Sequence, residues 1–246
     1  MIRGPTQNEI QVKREGRQAR IDGIRSASVA DAMGRVYAHR SHISGLLSPT
    51  PERALFGPAV TMVYVPVRED LRDAAKHKFA ALFYECIIEG ATGKVLVMAS
   101  CGHEETSLGG GVKLSRVENH KMAGVLTDGC LRDFSELSSY EFVTFCSGTT
   151  PRWGGDVVMP FMANVPVVIK GVTVVPGDYI YSDCEGAVVI PKNEIDSIIN
   201  DAIEIERADQ RAIEQIRQEN AGPNKPGPGG RGMVATPGQV EEGVKL

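Results

Sequence analysis

The fold is decided by residues 124–133, which read Gly-Val-Leu-Thr-Asp-Gly-Cys-Leu-Arg-Asp. The first four residues form a largely apolar run that predicts a short buried strand. Acidic residues follow, and Arg132 opens a predicted short helix over residues 132–138. A strand joined to a helix in this way is the unit of an α/β fold, and open α/β sheets bind ligands beyond the carboxyl ends of their strands. We therefore expect a ligand site at the end of this strand.

The stretches before residue 124 show the same alternation of strands and helices. They predict a strand at 59–65, a helix over 70–89, a buried strand at 94–99, and a helix over 109–122 that opens with a glycine triplet. Because the connections between these elements are short, at least part of the sheet is predicted to be parallel.

The chain after residue 141 has a different pattern. Six closely spaced β segments come first, and a long amphipathic helix follows Pro191. Near the other end, a helix over 8–24 is predicted to precede a short helix over 28–33, with Ser28 as its N-cap. The predicted fold class is α/β with mixed sheets, an N-terminal helical arm and a long C-terminal helix.

Composition along the chain predicts one folded domain between two extensions. Residues 221–246 hold seven glycines and four prolines, which predicts a flexible tail that cannot maintain a helix or a strand. The helical arm is assigned to residues 1–26. The arm and the tail leave a single domain over residues 27–220.

Overall composition excludes several classes of protein. The net charge of −4 argues against nucleic acid as a partner, because phosphate contacts require a basic face. No apolar stretch reaches the roughly 18 to 20 residues of a membrane span. The five cysteines include no CxxC pair, so we expect free thiols and a cytoplasmic protein.

One cluster of residues carries the chemistry of a metal or acid–base site. Asp133 and Glu136 are three residues apart, so in a helical turn they would face the same side, as a cation bound through oxygen requires. Arg132 offers a planar guanidinium that suits a carboxylate or an enolate oxygen. The alternative is structural: both acids would offset the helix dipole, and Arg132 would form a surface ion pair.

The glycine triplet at 109–111, followed by Val112 and Lys113, is a second candidate. Glycines before a helix allow backbone N–H groups to converge on an anion. The Gly-Lys-Ser/Thr spacing of a Walker A loop is absent, so a small carboxylate fits better than a nucleotide. Such a triplet is also compatible with an ordinary tight turn.

The order and spacing of these groups resemble the RraA-like family, which includes the 4-hydroxy-4-methyl-2-oxoglutarate and 4-carboxy-4-hydroxy-2-oxoadipate aldolases. Gly111 is followed by twenty residues, then Arg132-Asp133, two more residues and Glu136. The segment quoted first is close to the family's signature, and residues 175–191 are similar to its late strands. The resemblance covers most of the predicted domain.

The resemblance implies a metal-dependent class II aldolase that uses Mg²⁺ or Mn²⁺ and acts on a 2-oxo acid. Asp133 and Glu136 would hold the metal, and Glu136 would replace an aspartate that many members carry at the position of Gly111. Arg132 would bind the keto oxygen and carboxylate, so that Arg132 and Asp133 are the catalytic residues. The pyruvyl carboxylate would lie on the backbone of Gly110, Gly111, Val112 and Lys113.

The implied reaction is a retro-aldol cleavage of a 4-hydroxy-2-oxo acid, which releases pyruvate through its enolate. Oxaloacetate gives the same enolate when it loses carbon dioxide, so decarboxylation is an expected companion activity. The implied fold is the swivelling β/β/α type, assembled as homotrimers or homohexamers with the site at a subunit interface.

A second function class stays open, because the family also includes regulators that bind and inhibit ribonuclease E without catalysis. The presence of Arg132, Asp133 and Glu136 favours the enzyme. A methyltransferase has no support, because no nucleotide-type glycine loop is present. Residues 152–156, Arg-Trp-Gly-Gly-Asp, are not part of the family pattern and are candidates for lining a substrate pocket, as is His103 for a role near the site.

Overall fold

A computed structural model describes residues 16–218 of the chain. The predicted tail at 221–246 and the first fifteen residues of the predicted arm lie outside that range, and the described part of the arm is helical over 16–21. Between residues 16 and 218, no helix is both long and apolar enough to cross a bilayer. All five cysteines lie in the described part and are free thiols, as expected.

Beyond the helical residues 16–21, five helices and thirteen strands follow in the described part of the chain. The helices are α1 (Ser26–Val36), α2 (Phe79–Cys86), α3 (Gly111–Asn119), α4 (Phe134–Leu137) and α5 (Ile195–Gln218). The strands are β1 (His42–Ile43), β2 (Leu55–Pro66), β3 (Val95–Ala99), β4 (Ser107–Gly109), β5 (Gly124–Thr127), β6 (Cys130–Leu131), β7 (Val143–Phe145), β8 (Gly148–Thr149), β9 (Val158–Ala163), β10 (Val167–Ile169), β11 (Val172–Val174), β12 (Tyr179–Asp183) and β13 (Gly186–Ile190).

The long strand β2 organises the main sheet. Along one edge it pairs in parallel with β3, and along the other it pairs antiparallel with β12 and then with β9. The order β1-β13-β12-β2-β3-β5-β7 therefore joins a parallel half, β2-β3-β5-β7, to an antiparallel half. The predicted mixed α/β fold with a long C-terminal helix is confirmed.

Alternate residues of β3 point into two different cores. Leu96 and Met98 pack with helices α2 and α3, whereas Val97 packs with the β10–β11 hairpin. A third core packs α1 and α5 against β12 and β13. Because both faces of β3 are covered, all five of its residues are buried, which explains its continuous apolar run.

A second, smaller sheet consists of β4, β6 and β8, paired in parallel in that order. The sequence predicted that the strand at 124–127 leads directly into a helix over 132–138, and this is wrong. Strand β6 intervenes, and the helix that follows is limited to Phe134–Leu137. A two-residue strand is too short to give a periodic signal, so the pattern could not reveal it.

Two further predictions about helices are wrong. The helix predicted over 70–89 is confined to Phe79–Cys86. The Asp73 carboxylate accepts from the N–H groups of Ala75 and Lys76 in a separate turn, and the extended backbone of Lys78 divides that turn from the helix. Ser28 is not an N-cap. Helix α1 begins at Ser26, and the Ser28 hydroxyl donates to Glu206 of α5 at 2.7 Å.

Polar contacts along α5 attach it to the arm and to α1. Arg17, in the helical residues 16–21, forms an ion pair with Asp196, and Arg25 forms one with Glu206. Burial alone would raise the pKa of Glu206, but the Ser28 hydroxyl and the Arg25 guanidinium bind this carboxylate and hold its pKa below the usual value.

Glu206→Gln is expected to lower the free energy of unfolding by about 1–2 kcal/mol, because hydrogen bonds to a charged acceptor are stronger than neutral ones. The loss should be present above the pKa of an unfolded glutamate, about 4.3, and disappear as the pH falls through the lower folded value. Urea denaturation at several pH values measures it. Glu214→Gln, an exposed change on the same helix, is the control, and equal losses in the two variants would contradict the assignment.

Candidate active site

The carboxyl ends of the three strands in the small sheet meet at one edge. The register sets Gly109 beside Leu131 and Leu131 beside Thr149. Since the strands are parallel, the residues that follow them emerge on the same side. Two backbone hydrogen bonds extend this alignment, from Arg132 N–H to the Gly109 carbonyl at 3.0 Å and from Thr150 N–H to the Leu131 carbonyl at 3.1 Å.

A cleft of about 450 Å³ opens at this edge, lined by Arg132, Asp133, Thr149, Thr150 and Pro151. Its volume is in the range of pockets that hold small molecules. Within residues 16–218, the Arg132 side chain has no recorded ion pair or hydrogen bond, so the alternative of a surface ion pair for this residue finds no partner. Its guanidinium is available to an anion in the cleft.

Asp133 has a left-handed backbone conformation, with φ 61° and ψ 42°, and lies at the N-cap position of α4. A non-glycine residue with positive φ is uncommon, and such strain occurs most often at functional sites. The Asp133 carboxylate accepts a hydrogen bond from the N–H of Gly111 at 3.0 Å. Asp133 therefore precedes the helix, and the prediction that a helical turn pairs it with Glu136 is wrong in detail.

The two carboxylates nevertheless both lie against the glycine turn. A Cβ atom at Gly110 would lie 2.5 Å from Oδ2 of Asp133, and one at Gly111 would overlap the carboxylate of Glu136. Each carboxylate occupies the space that a side chain at the adjacent glycine would take. A side chain at position 110 or 111 would therefore have to displace one of these carboxylates.

Tyr140 holds the Glu136 carboxylate in place and was not identified from the sequence. Its hydroxyl donates to Oε1 of Glu136 at 2.9 Å and lies 3.3 Å from the carbonyl oxygen of Gly111. Burial, this hydrogen bond and the negative charge of Glu136 raise the pKa of Tyr140. The spacing of four residues between Glu136 and Tyr140 was the signal that could have found it.

The start of α3 presents backbone donors to the same edge. The N–H groups of Val112 and Lys113 belong to the first turn, where no acceptor within the helix is available. The Lys113 ammonium lies 5.6 Å from the centre of the Phe79 ring and 3.4 Å from the Leu108 carbonyl oxygen. Burial and the charge of Arg132 lower the pKa of Lys113.

All the site residues predicted from the sequence therefore lie around one edge, namely Gly110, Gly111, Val112, Lys113, Arg132, Asp133 and Glu136. Their catalytic and binding roles stay predictions. Thr149 and Thr150 were missed, because the strand that carries Thr149 has only two residues.

The donors at this edge fit a hard divalent cation. In the described range 16–218, no group of three or more His, Cys, Asp or Glu residues is arranged to hold a metal. Mg²⁺ usually keeps several waters and takes only one or two protein carboxylates, which matches a site with two acids. The residues that could hold such an ion are Asp133 and Glu136.

The segment over 152–156 comes directly after Pro151 in the chain, and none of its residues is among those that line the cleft. Arg152 pairs with Asp156 at 2.7 Å, and Trp153, 58% exposed, lies against Gly155. His103 does not line the cleft; its Nδ1 lies 4.0 Å from a carboxylate oxygen of Glu105.

Comparison with known proteins identifies the family to which the chain belongs. The family model described as "RraA-like: Aldolase/RraA" matches residues 26–189. The chain belongs to the RraA-like family. The match begins at the start of α1 and extends into β13, so it includes every predicted site residue of this RraA-like chain.

Two curated relatives show how far the similarity extends. The chain is 27% identical over 189 residues to "Protein DlpA" of Legionella pneumophila, a match that covers 76% of this chain and 29% of that protein. It is 29% identical over 136 residues to a Halalkalibacterium halodurans protein named "Putative 4-hydroxy-4-methyl-2-oxoglutarate aldolase", covering 55% of this chain and 64% of that protein. The chain thus spans less than two thirds of the length of either relative.

A solved structure confirms the fold. The chain is similar to the crystal structure of Streptomyces coelicolor RraAS2, described as "an unusual member of the RNase ES inhibitor RraA protein family", with a TM-score of 0.69 and 27% identity. The match covers 80% of this chain and 96% of that one.

Gly111→Ala is expected to change the free energy of unfolding by less than about 1 kcal/mol, because the new Cβ meets only the flexible end of Glu136 and alanine favours a helix over glycine. Gly124→Ala is the matched contrast, since its Cβ would overlap the carbonyl oxygen of Val143 in the main sheet. That variant should lose about 1–3 kcal/mol, as overpacked sites do. Urea denaturation compares them, and a large loss in Gly111→Ala would show that the Glu136 side chain cannot move aside.

Proposed function

We propose that this chain is a divalent-metal-dependent lyase that cleaves a 4-hydroxy-2-oxo acid by a retro-aldol reaction and releases pyruvate. The observation that carries the proposal is the meeting of Arg132, two carboxylates and the first turn of α3 at one edge of the small sheet. The aldolase name of the Halalkalibacterium halodurans relative supports the same reaction class.

Different groups at this edge bind different parts of the 2-oxo acid. The N–H groups of Val112 and Lys113 hold the carboxylate of the pyruvyl half, because first-turn N–H groups are ready donors to an anion. Arg132 donates to the keto oxygen and stabilises the negative charge that develops there as the C3–C4 bond breaks. Oxaloacetate passes through the same enolate, so its decarboxylation is part of the proposal.

The proposed cofactor is Mg²⁺ or Mn²⁺, held by Asp133 and Glu136. Such an ion supplies Lewis-acid polarisation of the substrate ketone. The Gly111 N–H fixes the Asp133 carboxylate, and the Tyr140 hydroxyl fixes that of Glu136, so both acids are oriented before the ion arrives. Catalysis at a metal site depends on this kind of outer support.

We also propose that the protein acts in the cytoplasm as a homotrimer or homohexamer. The family membership supports this assembly. The open cleft and the exposed side chain of Val112, 79% accessible, leave room for a neighbouring subunit to complete the site.

The first test measures pyruvate release from 4-hydroxy-2-oxo acids and from oxaloacetate, with and without EDTA. EDTA should abolish the activity, and Arg132→Ala should lower kcat/KM by about 10²–10³-fold, the usual loss when a donor to a developing oxyanion is removed. Arg68→Ala, an exposed change far from the cleft in sequence, should have no effect. Full activity in Arg132→Ala, or turnover in the presence of EDTA, would contradict the mechanism.

The second test exchanges the position of a metal-binding carboxylate. Glu136→Ala should weaken Mn²⁺ binding at least tenfold in calorimetry, because it removes one of two charged ligands. In the double variant Gly111→Asp/Glu136→Ala, the new aspartate occupies the space vacated by Glu136, and Mn²⁺ affinity should recover.

The matched control for this exchange is Gly111→Asp alone. Here the Glu136 side chain has to move aside for the new aspartate, so the single variant should bind Mn²⁺ no better than the double variant. A double variant no better than Glu136→Ala would contradict the assignment of this position to the metal.

A second candidate function is regulation of a ribonuclease without catalysis, which the similarity to Streptomyces coelicolor RraAS2 favours. A metal-dependent lyase should gain thermal stability from Mg²⁺ and further stability from Mg²⁺ with oxalate, because ligands that bind only the folded state raise Tm. Absence of both shifts, together with inhibition of a ribonuclease by the purified chain, would favour the regulator.

A further inference from the structure

A second pocket lies between α1 and α5, on elements that do not contribute to the active-site cleft. Its volume is about 440 Å³, and its lining residues are Arg35, Glu204, Arg207, Ala208 and Arg211. Arg35 lies in the last turn of α1, and the other four residues lie along α5. We refer to this feature as the arginine pocket.

The arginines of this pocket differ from two other arginines that contact α5. Arg17 and Arg25 each form ion pairs with carboxylates of α5. For the side chains of Arg35, Arg207 and Arg211, the structure records no ion pair or hydrogen bond within the described residues. Three exposed arginines thus line one pocket, and their guanidinium groups have no acceptor among residues 16–218.

Repulsion between these positive charges destabilises the protein when the pocket is empty. Arg207 and Arg211 are four residues apart on α5, and like charges at that spacing destabilise a helix. Arg35 adds a third positive charge to the same pocket in a chain whose net charge is −4. The pocket therefore offers three positive charges against the single negative charge of Glu204, and an anion bound among the arginines would remove the repulsion.

We propose that the arginine pocket binds a small soluble phosphate ester that also carries a hydroxyl or amino group. Guanidinium forks match the oxygens of a phosphate group, and a phosphate ester carries close to two negative charges at neutral pH. Glu204, which lines the same pocket, accepts a hydrogen bond from the hydroxyl or amino group. A simple monocarboxylate has only two oxygens and a single negative charge, so it matches three arginines less well than a phosphate ester.

Such a ligand links Arg35 of α1 to Arg207 and Arg211 of α5. Because it binds only the folded arrangement of the two helices, it stabilises the protein and raises Tm. The proposal does not depend on the lyase reaction, since it concerns other elements and is measured by binding.

The test is calorimetry and thermal denaturation of the full chain at constant ionic strength, with pyrophosphate and ribose 5-phosphate as probes and ribose as the phosphate-free control. Both phosphates should bind saturably and raise Tm, and ribose should do neither. Arg207→Gln and Arg211→Gln should each weaken ribose 5-phosphate binding at least tenfold, and Arg207→Lys should give a smaller loss, because it keeps the charge but not the fork. Arg217→Gln, exposed on the same helix outside the pocket, should bind like the unmodified chain.

Glu204→Gln tests the proposed hydrogen bond from the ligand's hydroxyl or amino group to Glu204. It should raise the affinity for pyrophosphate, because a like charge is removed, and should raise the affinity for ribose 5-phosphate less. No saturable binding, or equal binding by Arg207→Gln, Arg211→Gln and Arg217→Gln, would overturn the proposal. So would arginine-dependent binding to vesicles containing phosphatidylserine when neither soluble phosphate binds, which would assign the pocket to a lipid headgroup.

Discussion

The backbone hydrogen bonds that join β4, β6 and β8 in parallel are the constraint on which the candidate site depends. They bring together three segments that lie far apart in the chain, so that Gly110, Arg132 and Thr150 follow one another along a single edge. A slip of one residue in β6 would turn Arg132 away from the cleft and remove the Asp133 carboxylate from the Gly111 N–H. The chemistry of the site is therefore set by the register of three very short strands.

The glycine turn and the acids of the next segment are mutually dependent. Gly110 and Gly111 leave space that Asp133 and Glu136 fill, and the Gly111 N–H and the Tyr140 hydroxyl orient those carboxylates. This explains why a glycine at position 111 and an acid at position 136 belong together in this chain. A side chain at one position and a carboxylate from the other cannot occupy the same volume.

The elements with strong periodic or apolar patterns could be predicted from the sequence. Strand Val95–Ala99 is apolar throughout because both faces are covered, and the apolar stripe of α5 packs against the antiparallel half of the sheet. Other features depend on tertiary contacts that leave no local signal. Ser28 binds Glu206 instead of capping its helix, and Asp73 holds a separate turn that the extended backbone of Lys78 divides from α2. Arg132, Asp133 and Glu136 were predicted because their spacing resembles a family, whereas Thr149, Thr150 and Tyr140 required the fold.

The most direct measurement is a crystal structure of the protein with Mn²⁺ and oxalate, which resembles the enolate of pyruvate. We predict anomalous scattering from manganese beside the Asp133 and Glu136 carboxylates at the glycine turn. We also predict oxalate oxygens in contact with the Arg132 guanidinium and with the N–H groups of Val112 and Lys113. Manganese bound elsewhere, or oxalate without contact to Arg132, would contradict the proposed site.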